Sequence, residues 1–395
     1  MPALSRVGTA FFLNKPGGGG GGTAAEPGEA VFHADQGNML ATWNQHTTYT
    51  WEVPEGVTSI SVVCVGGGGG GQPDHDGASG AGGALAYKNN ITVVPGTNVS
   101  VVVGGGGFEQ NWGGSYGQQG YSSYIQYNGT IYAKAGGGQR ADKTQANGYI
   151  QNNNNGVMSG DYDGGGSGGA GMAWNGCRQS GGGAGGYDAQ GLTQSGTPGN
   201  VQYSGWSGKN GHGGGGGGGH SANGSTAYYS AGGGGVGVYG AGSSGACGDN
   251  TSTPADHLSY TGKGGSYDPW LYEQNGLGPS LSSYNHYTGL RGYSVQTPWD
   301  WWAAGSDLNG SSYRRDQETQ GQGYTRPDGG FPGGGGGGAN SGHPAGAGGN
   351  GIVRIVWGTI NGMTREFPQQ GVNKTDVYPG LGGNTPIKYG NQQMY

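Results

Sequence analysis

Charge is scarce in this sequence: 17 basic and 23 acidic residues among 395 make up 10% of the chain and leave a formal net charge of −6. No basic cluster exceeds Arg314-Arg315, so the phosphate-neutralising surface that nucleic-acid binding requires is missing, and nucleic acid is excluded as an expected partner. Apolar residues are also few, at 31% against roughly 45–50% for an average domain, so a side-chain core can form only locally. Three cysteines cannot staple a scaffold of this length. Cys64 lies in an apolar run and reads as a buried thiol, while a pairing of Cys177 with Cys247 stays open. No stretch approaches the roughly 20 apolar residues of a membrane span. Residues 1–16 hold no continuous apolar run of signal-peptide length, so neither membrane insertion nor an export signal is expected. Glycine recurs too often for the 10–12 uninterrupted residues of a helical period, which removes helices from the expected fold.

Glycine itself is abundant, with 102 residues, accompanied by 17 Pro, 25 Tyr, 10 Trp and 6 Phe. The glycines come in blocks of three to seven without a Gly-X-Y period, which rejects collagen. The dispersed aromatics argue against a disordered low-complexity chain. The blocks include Gly17–Gly22, Gly66–Gly71, Gly104–Gly107, Gly136–Gly138, Gly181–Gly183, Gly213–Gly219, Gly232–Gly235 and Gly333–Gly338. Ordering each glycine costs roughly 0.5–1 kcal/mol more than ordering alanine, so something other than side chains must hold them. Packed polyproline-II-type helices of glycine meet that need: with three residues per turn and a rise of about 3.1 Å, their N–H and C=O groups point outward to neighbouring helices. A six-glycine block then spans about 19 Å, which suits a rigid slab with longer segments emerging as loops. The longest such segment is 249–332.

Between the blocks lie strands. Residues 48–53 alternate, Pro54-Glu55-Gly56 has turn chemistry, and 57–65 is rich in β-branched residues, which predicts a hairpin. A second hairpin is expected for 84–94 and 98–103 around Pro95-Gly96. A third is expected for 121–127 and 130–135 around Asn128-Gly129, the strongest short-range signal of the three. Residues 351–357 form one more strand, isolated in sequence, that needs a distant partner among the early strands. The expected fold class is therefore all-β: a small β-sandwich of N-terminal hairpins plus a late C-terminal strand, with a long glycine-rich insertion packed as polyglycine helices and loops. The expected domains are a docking arm with a glycine linker at 1–36, the sandwich at 37–135 plus 349–358, the polyglycine slab with aromatic loops at 136–348, and a C-terminal assembly tail at 359–395.

Catalytic signatures are present but carry little. Gly113–Gly117 and Gly165–Gly169 both match G-x-S-x-G, yet neither has the strand-to-helix setting of a nucleophile elbow, and one residue in four being glycine makes chance matches common. His212 and His220 flank the seven-glycine run and would lie too far apart to share a metal. Asp74-His75-Asp76-Gly77 and Asp161-Tyr162-Asp163-Gly164 resemble the opening of a calcium loop but have Leu85 or Met172 where a bidentate Glu is needed. No enzyme activity, cofactor or metal is expected. Aromatic residues are more informative: Trp270, Tyr272, Tyr284, Tyr287, Trp299, Trp301, Trp302 and Tyr313 fall within one glycine-poorer segment beside Asp300, Asp307, Arg314 and Arg315. They either form a mini-core for a long loop or present rigid recognition faces. Neither sugar nor protein is selected as the ligand. At the other end of the chain, Leu4, Val7, Phe11, Phe12 and Leu13 form an apolar arm with too little neighbouring sequence to bury it, which implies docking onto another protein or into a homotrimer.

Residues 48–71 (TYTWEVPEGVTSISVVCVGGGGGG), with Ala84–Lys88, Ile91–Thr97, Val99–Gly107 and Gly349–Trp357, resemble the glycine-rich domain of tailed-phage virion proteins, especially those of phages of marine cyanobacteria. Asn361–Pro368 is similar to the terminus of such structural proteins. The middle of the chain resembles, in style only, the polyglycine tip adhesins of T-even-like phages, whose slabs carry variable receptor-binding loops. The resemblance implies a virion structural protein: a tail-fibre or tail-tip adhesin that touches host envelope polysaccharide or an outer-membrane protein, or alternatively a capsid or tail decoration protein that binds no receptor. It further implies other virion proteins as partners, synthesis in the host cytoplasm, and a final place on the external surface of the particle, on the tail or fibre ahead of the capsid.

Overall fold

A computed structural model describes residues 25–34, 46–72, 79–108, 117–140, 156–171, 181–187, 232–242, 329–330, 332–337, 345–360 and 362–369, a few isolated positions, and the backbone of two short strand pairs. The described residues form strands and turns and no helix. In chain order the strands are β1 (Gly28–His33), β2 (His46–Glu52), β3 (Ser59–Val65), β4 (Leu85–Thr92), β5 (Asn98–Gly104), β6 (Ser123–Tyr127), β7 (Thr130–Ala135), β8 (Met158–Ser159) and β9 (Gly164–Gly166). They continue with β10 (Ser312–Arg314), β11 (Tyr324–Arg326), β12 (Ile352–Trp357), β13 (Thr359–Ile360), β14 (Met363–Thr364), β15 (Lys388–Tyr389) and β16 (Gln392–Gln393). Two five-stranded antiparallel sheets face each other, one in the order β1-β12-β3-β4-β9 and the other β2-β5-β6-β7-β8.

The fold is all-β, and the isolated late strand finds its partners at the start of the chain: β12 lies between β1 and β3. The reason is visible in β3, which is apolar on both faces. Its Val62 and Cys64 enter the core between the sheets with Trp51, Val101, Ile125, Ile355 and Trp357. Its Val63 and Val65 enter a second core on the outer side of the same sheet, with Leu85, Tyr87, Tyr187, Val236, Tyr239, Ile352, Val356 and Phe367. A strand buried on both faces belongs at the centre of a covered sheet. By contrast β2 alternates, with Tyr49 and Trp51 inward and Thr48 and Thr50 exposed, as a strand with one solvated face should.

That difference corrects two of the expected hairpins. The turn at 54–57 forms, with Val57 N–H donating to the Pro54 carbonyl at 3.1 Å, but β2 pairs with β5 while β3 pairs with β4 and β12. The turn at 94–97 likewise forms, with Gly96 at φ 75, yet β4 and β5 lie in opposite sheets. Turn chemistry fixes a chain reversal without deciding whether the two arms share a sheet. Here Val53 and Val57 are both buried, so the chain arches over the core. The Asn128-Gly129 hairpin is formed as expected, with both residues at positive φ (47 and 79) and β6 paired to β7. Strand β1, within the segment read as a docking arm, has no strong sequence signal of its own.

Cys64 is fully buried, and burial pushes its thiol pKa well up. Since the thiolate is the reactive form, a maleimide is expected to leave Cys64 unlabelled in the native protein and to label it in urea. Peptide mass spectrometry reads this directly, and native labelling at Cys64 would contradict the burial.

Candidate functional site

The strands of the sandwich do not end at its edge; they run on as glycine. From β3 the chain continues into Gly66–Gly71, all buried. Gly66 and Gly69 N–H donate to the carbonyls of Ala84 and Ala81, Gly67 and Gly70 to Tyr121 and Gln118, and Gly68 and Gly71 to Gly349 and Gly346, all at 2.8–3.0 Å. The partner segment therefore repeats every third residue. A strand would alternate between two neighbours, whereas a threefold polyproline-II-type helix serves three. The carbonyls complete the pattern: Gly67, Gly68 and Gly69 accept from Gly138, Gly107 and Gly336 at 2.7–2.9 Å. Residue numbers fall across the first three neighbours as the central helix rises, and increase across the last three. The central helix thus has three antiparallel neighbours, to which it donates, and three parallel ones, from which it accepts.

Strand direction explains this alternation. Rising strands β3, β5 and β7 feed the parallel helices 66–71, 104–108 and 135–139, and the antiparallel helices 80–84, 117–121 and 345–351 feed the descending strands β4, β6 and β12. Sheets and lattice share one set of directions, so no joint separates them. Further helices extend the array: Gly82 donates to Gly169, Gly169 to Gly183, Gly182 to Gly80, Ala184 to Gly234 and Gly233 to Gly335. Glycine is required by the close approach. A Cβ on Gly68 would come closer than 3.0 Å to the carbonyl carbon and oxygen of Gly334, which are backbone atoms and cannot swing aside.

This construction gives the molecule two different ends. At the end of the lattice away from the sandwich, the chain leaves at Gln72, Phe108, Gly171 and Gly337 and re-enters at Ser79, Gly117, Gly181 and Ala345. The hydrogen bonds and close approaches at those positions lie at one level: Gly70 with Phe108 and Gln118, Gly171 with Ser79, and Gly346 with Gly337. The intervening sequences, which lie outside the described residues, contain Asp74, His75, Asp76, Trp112, Tyr116, Trp174 and His343. Segment 141–155 also departs from this end, at Arg140. Gly329 donates to Ala347, and Gly349 lies against the carbonyl of Gly330, so residues 329–330 descend parallel to 345–351. The long 249–332 segment therefore returns to the lattice from the loop end. At the opposite end, Ala25 sits beside the Gly56 turn.

The sequence-predicted site residues fall outside the part that describes side chains. Trp270, Tyr272, Tyr284, Tyr287, Trp299, Trp301 and Trp302, and the arm residues Leu4, Val7, Phe11, Phe12 and Leu13, lie outside the described residues. Tyr313 sits in β10, paired with Thr325 of β11. The calcium-like Asp161 and Asp163 are brought together around an ammonium group: Lys88 Nζ lies 2.8 Å from Asp161 Oδ1 and 2.9 Å from Asp163 Oδ1. The hydrogen bonds that Lys88 donates to these two carboxylates raise its pKa above the ordinary lysine value. Among the described residues, no three His, Cys, Asp or Glu side chains converge as a metal site needs.

Sequence reasoning missed a buried ionic cluster at the edge of the first sheet. Arg354, with no exposed side chain, stacks over the Tyr239 ring at 3.7 Å and pairs with Glu29 at 2.5 Å. Arg365 reaches the same Glu29 Oε2 at 3.2 Å. One carboxylate of β1 thus serves two buried guanidinium groups, one from β12 and one from the segment that follows β14. The only sequence signal was an arginine at a core-facing position of a strand otherwise made of Ile, Val and Trp.

The fold is thus an all-β body continued by a hydrogen-bonded polyglycine lattice. The chain belongs to the glycine-rich domain family, whose model matches residues 42–249, more than half its length. The match covers β2 to β9 but not the edge strand β1, nor the 345–351 helix and β12, which lie beside Gly66–Gly71 and β3. No curated protein matches the chain.

Proposed function

We propose that this glycine-rich protein is a structural component of a phage virion, displayed on the outside of the particle as a tail-fibre or tail-tip adhesin. The observation that carries this reading is the polarity of the molecule: four loops (73–78, 109–116, 172–180 and 338–344) leave and re-enter at one end of a rigid lattice, the long segment before Gly329 returns from that end, and Ala25 lies at the other. Loops on a stiff mount are placed for recognition at small entropic cost. In this reading the aromatic residues Trp270, Tyr272, Tyr284, Tyr287, Trp299, Trp301, Trp302 and Tyr313 contact host envelope polysaccharide or an outer-membrane protein. Leu4, Val7, Phe11, Phe12 and Leu13 dock the arm onto another virion protein or into a homotrimer, and the tail beyond residue 369 serves assembly.

Immunogold electron microscopy of intact phage, with an antibody raised against residues 249–332, tests the placement. Gold at the distal tail or fibre tips is expected, followed by reduced adsorption of phage carrying Trp299→Ala, Trp301→Ala and Trp302→Ala with the protein still folded. Gold over the head or along the tail would make the protein a decoration component without receptor binding, and unchanged adsorption would remove the aromatic loop from recognition.

A further inference from the structure

Residues 365–368 are attached to the body in a way the rest of the fold is not. Arg365 is buried and pairs with Glu29, and its Nη1 also donates to the carbonyls of Gly28 and Trp357. Glu366 accepts from the side-chain amide of Asn90 at 2.6 Å. The backbone of Phe367 is read by a single side chain: its N–H donates to Asn89 Oδ1 at 2.8 Å and its carbonyl accepts from Asn89 Nδ2 at 2.7 Å. An asparagine amide thereby takes the place of a neighbouring strand. The Phe367 ring stacks on Tyr187 at 6.3 Å and 17° and lies 6.4 Å from Tyr87. The Pro368 carbonyl accepts from Ala241 N–H at 2.8 Å. Four consecutive residues therefore touch β1, β4, the segment ending at Tyr187 and the segment ending at Ala241.

The connection to β12 has a different character. It runs through the small β13–β14 hairpin, whose Met363 is 51% exposed and which has Gly358 at its entry and Gly362 in its turn at φ 82 and 77. A four-residue anchor with two buried side chains, Arg365 and Phe367, thus hangs from an exposed hairpin. The parts it fastens are β1, the edge strand of the first sheet, whose Ala30 and Phe32 cover one margin of the core between the sheets, and the ends of the outer lattice helices.

We propose that Arg365–Pro368 is a strap that closes the outer layer of the first sheet and can open together with the edge strand β1 while β3 and the glycine lattice stay closed. It couples the two ends of the chain, because Glu29 of the N-terminal strand is held by Arg365 of the C-terminal segment. An assembly contact made by residues beyond 369 would fix the strap, and tension there would release it together with β1. This holds whatever the loops contact.

Hydrogen exchange on the full-length protein tests the strap, comparing wild type with the Arg365→Ala/Phe367→Ala double variant and with Asn89→Ala. In the double variant, amides in 28–33, 184–187 and 236–241 are expected to exchange at least about tenfold faster, while β3 and Gly66–Gly71 stay within about twofold of wild type. Asn89→Ala, which removes no apolar side chain, should show the same regional pattern at smaller amplitude. A uniform acceleration across the molecule, including outright failure to fold, would show that the segment is an inseparable part of the core and overturn the proposal. The absence of any regional change would overturn it equally.

Discussion

Replacing Gly68 by alanine is expected to destabilise the protein by about 3 kcal/mol or more, and replacing it by valine to leave no folded protein. Overpacking a well-filled core typically costs about 1–3 kcal/mol and sometimes more. Gly68 belongs at the severe end because the atoms its Cβ would meet belong to the Gly334 backbone and the neighbouring carbonyl of Gly333. Those atoms are themselves fixed by hydrogen bonds to other lattice helices, with Gly334 donating to Gly330 and accepting from Gly349. Relief at Gly68 would therefore have to propagate through the array. Total stabilities of about 5–15 kcal/mol leave little room for such a loss. Gly96 is the control: it has φ 75 and nothing within 4 Å of its Cβ position, so alanine there meets only the left-handed backbone penalty of about 1–2 kcal/mol. Urea unfolding of the two variants separates packing from backbone preference, and equal midpoints for Gly68→Ala and Gly96→Ala would sink the packing argument.

Glu29→Ala is the second large effect, expected at about 3–5 kcal/mol. Removing one partner of a buried ion pair leaves the other charge uncompensated. Arg354 is enclosed by β1, β12 and Tyr239 with its guanidinium out of contact with solvent, whereas the Glu29 side chain is 20% exposed. The cost therefore comes from the stranded arginine more than from the lost carboxylate. It follows that Glu29→Ala combined with Arg354→Met should be less destabilised than the sum of the two single variants. A double-mutant cycle read by urea unfolding measures this coupling. Strict additivity would mean that the two groups do not depend on each other and would contradict the arrangement.

The parts of the fold that were legible in the sequence are those governed by local chemistry. Asn128-Gly129 names its own turn, because two consecutive positive φ values suit those residues and few others. The run Ile352–Trp357 announces a strand that must be buried, and its isolation announces a distant partner. The arches at 54–57 and 94–97 were not legible as arches, since the same turn residues serve a hairpin equally well and only the burial of both faces of β3 separates the arms. The glycine blocks among the described residues were legible as packed threefold helices, because side chains are too few to hold so many glycines in order. Their arrangement was not: composition draws attention to the seven-residue run Gly213–Gly219, whereas the helix shown to have six neighbours is Gly66–Gly71, chosen by its position after the central strand. The ion cluster was hidden for a related reason, as Glu29, Arg354 and Arg365 are brought together only by the pairing of β1 with β12. Of the candidate site, topology places the roots of the loops, while the aromatic residues proposed for contact lie outside the described side chains.

The glycine lattice is the centre of this account, and the exchange of its own amides tests it most directly. In the wild-type protein each N–H from Gly66 to Gly71 is bonded to a different chain segment from those of its sequence neighbours. These amides should therefore open only when the whole molecule does and exchange as slowly as those of β3. Protection of Gly66–Gly71 equal to that of Val62–Val65 is the expected result. Exchange of those six glycines at the rate of an unstructured chain, while β3 remains protected, would mean that the glycine segments are flexible connections between strands and that the lattice does not hold the fold.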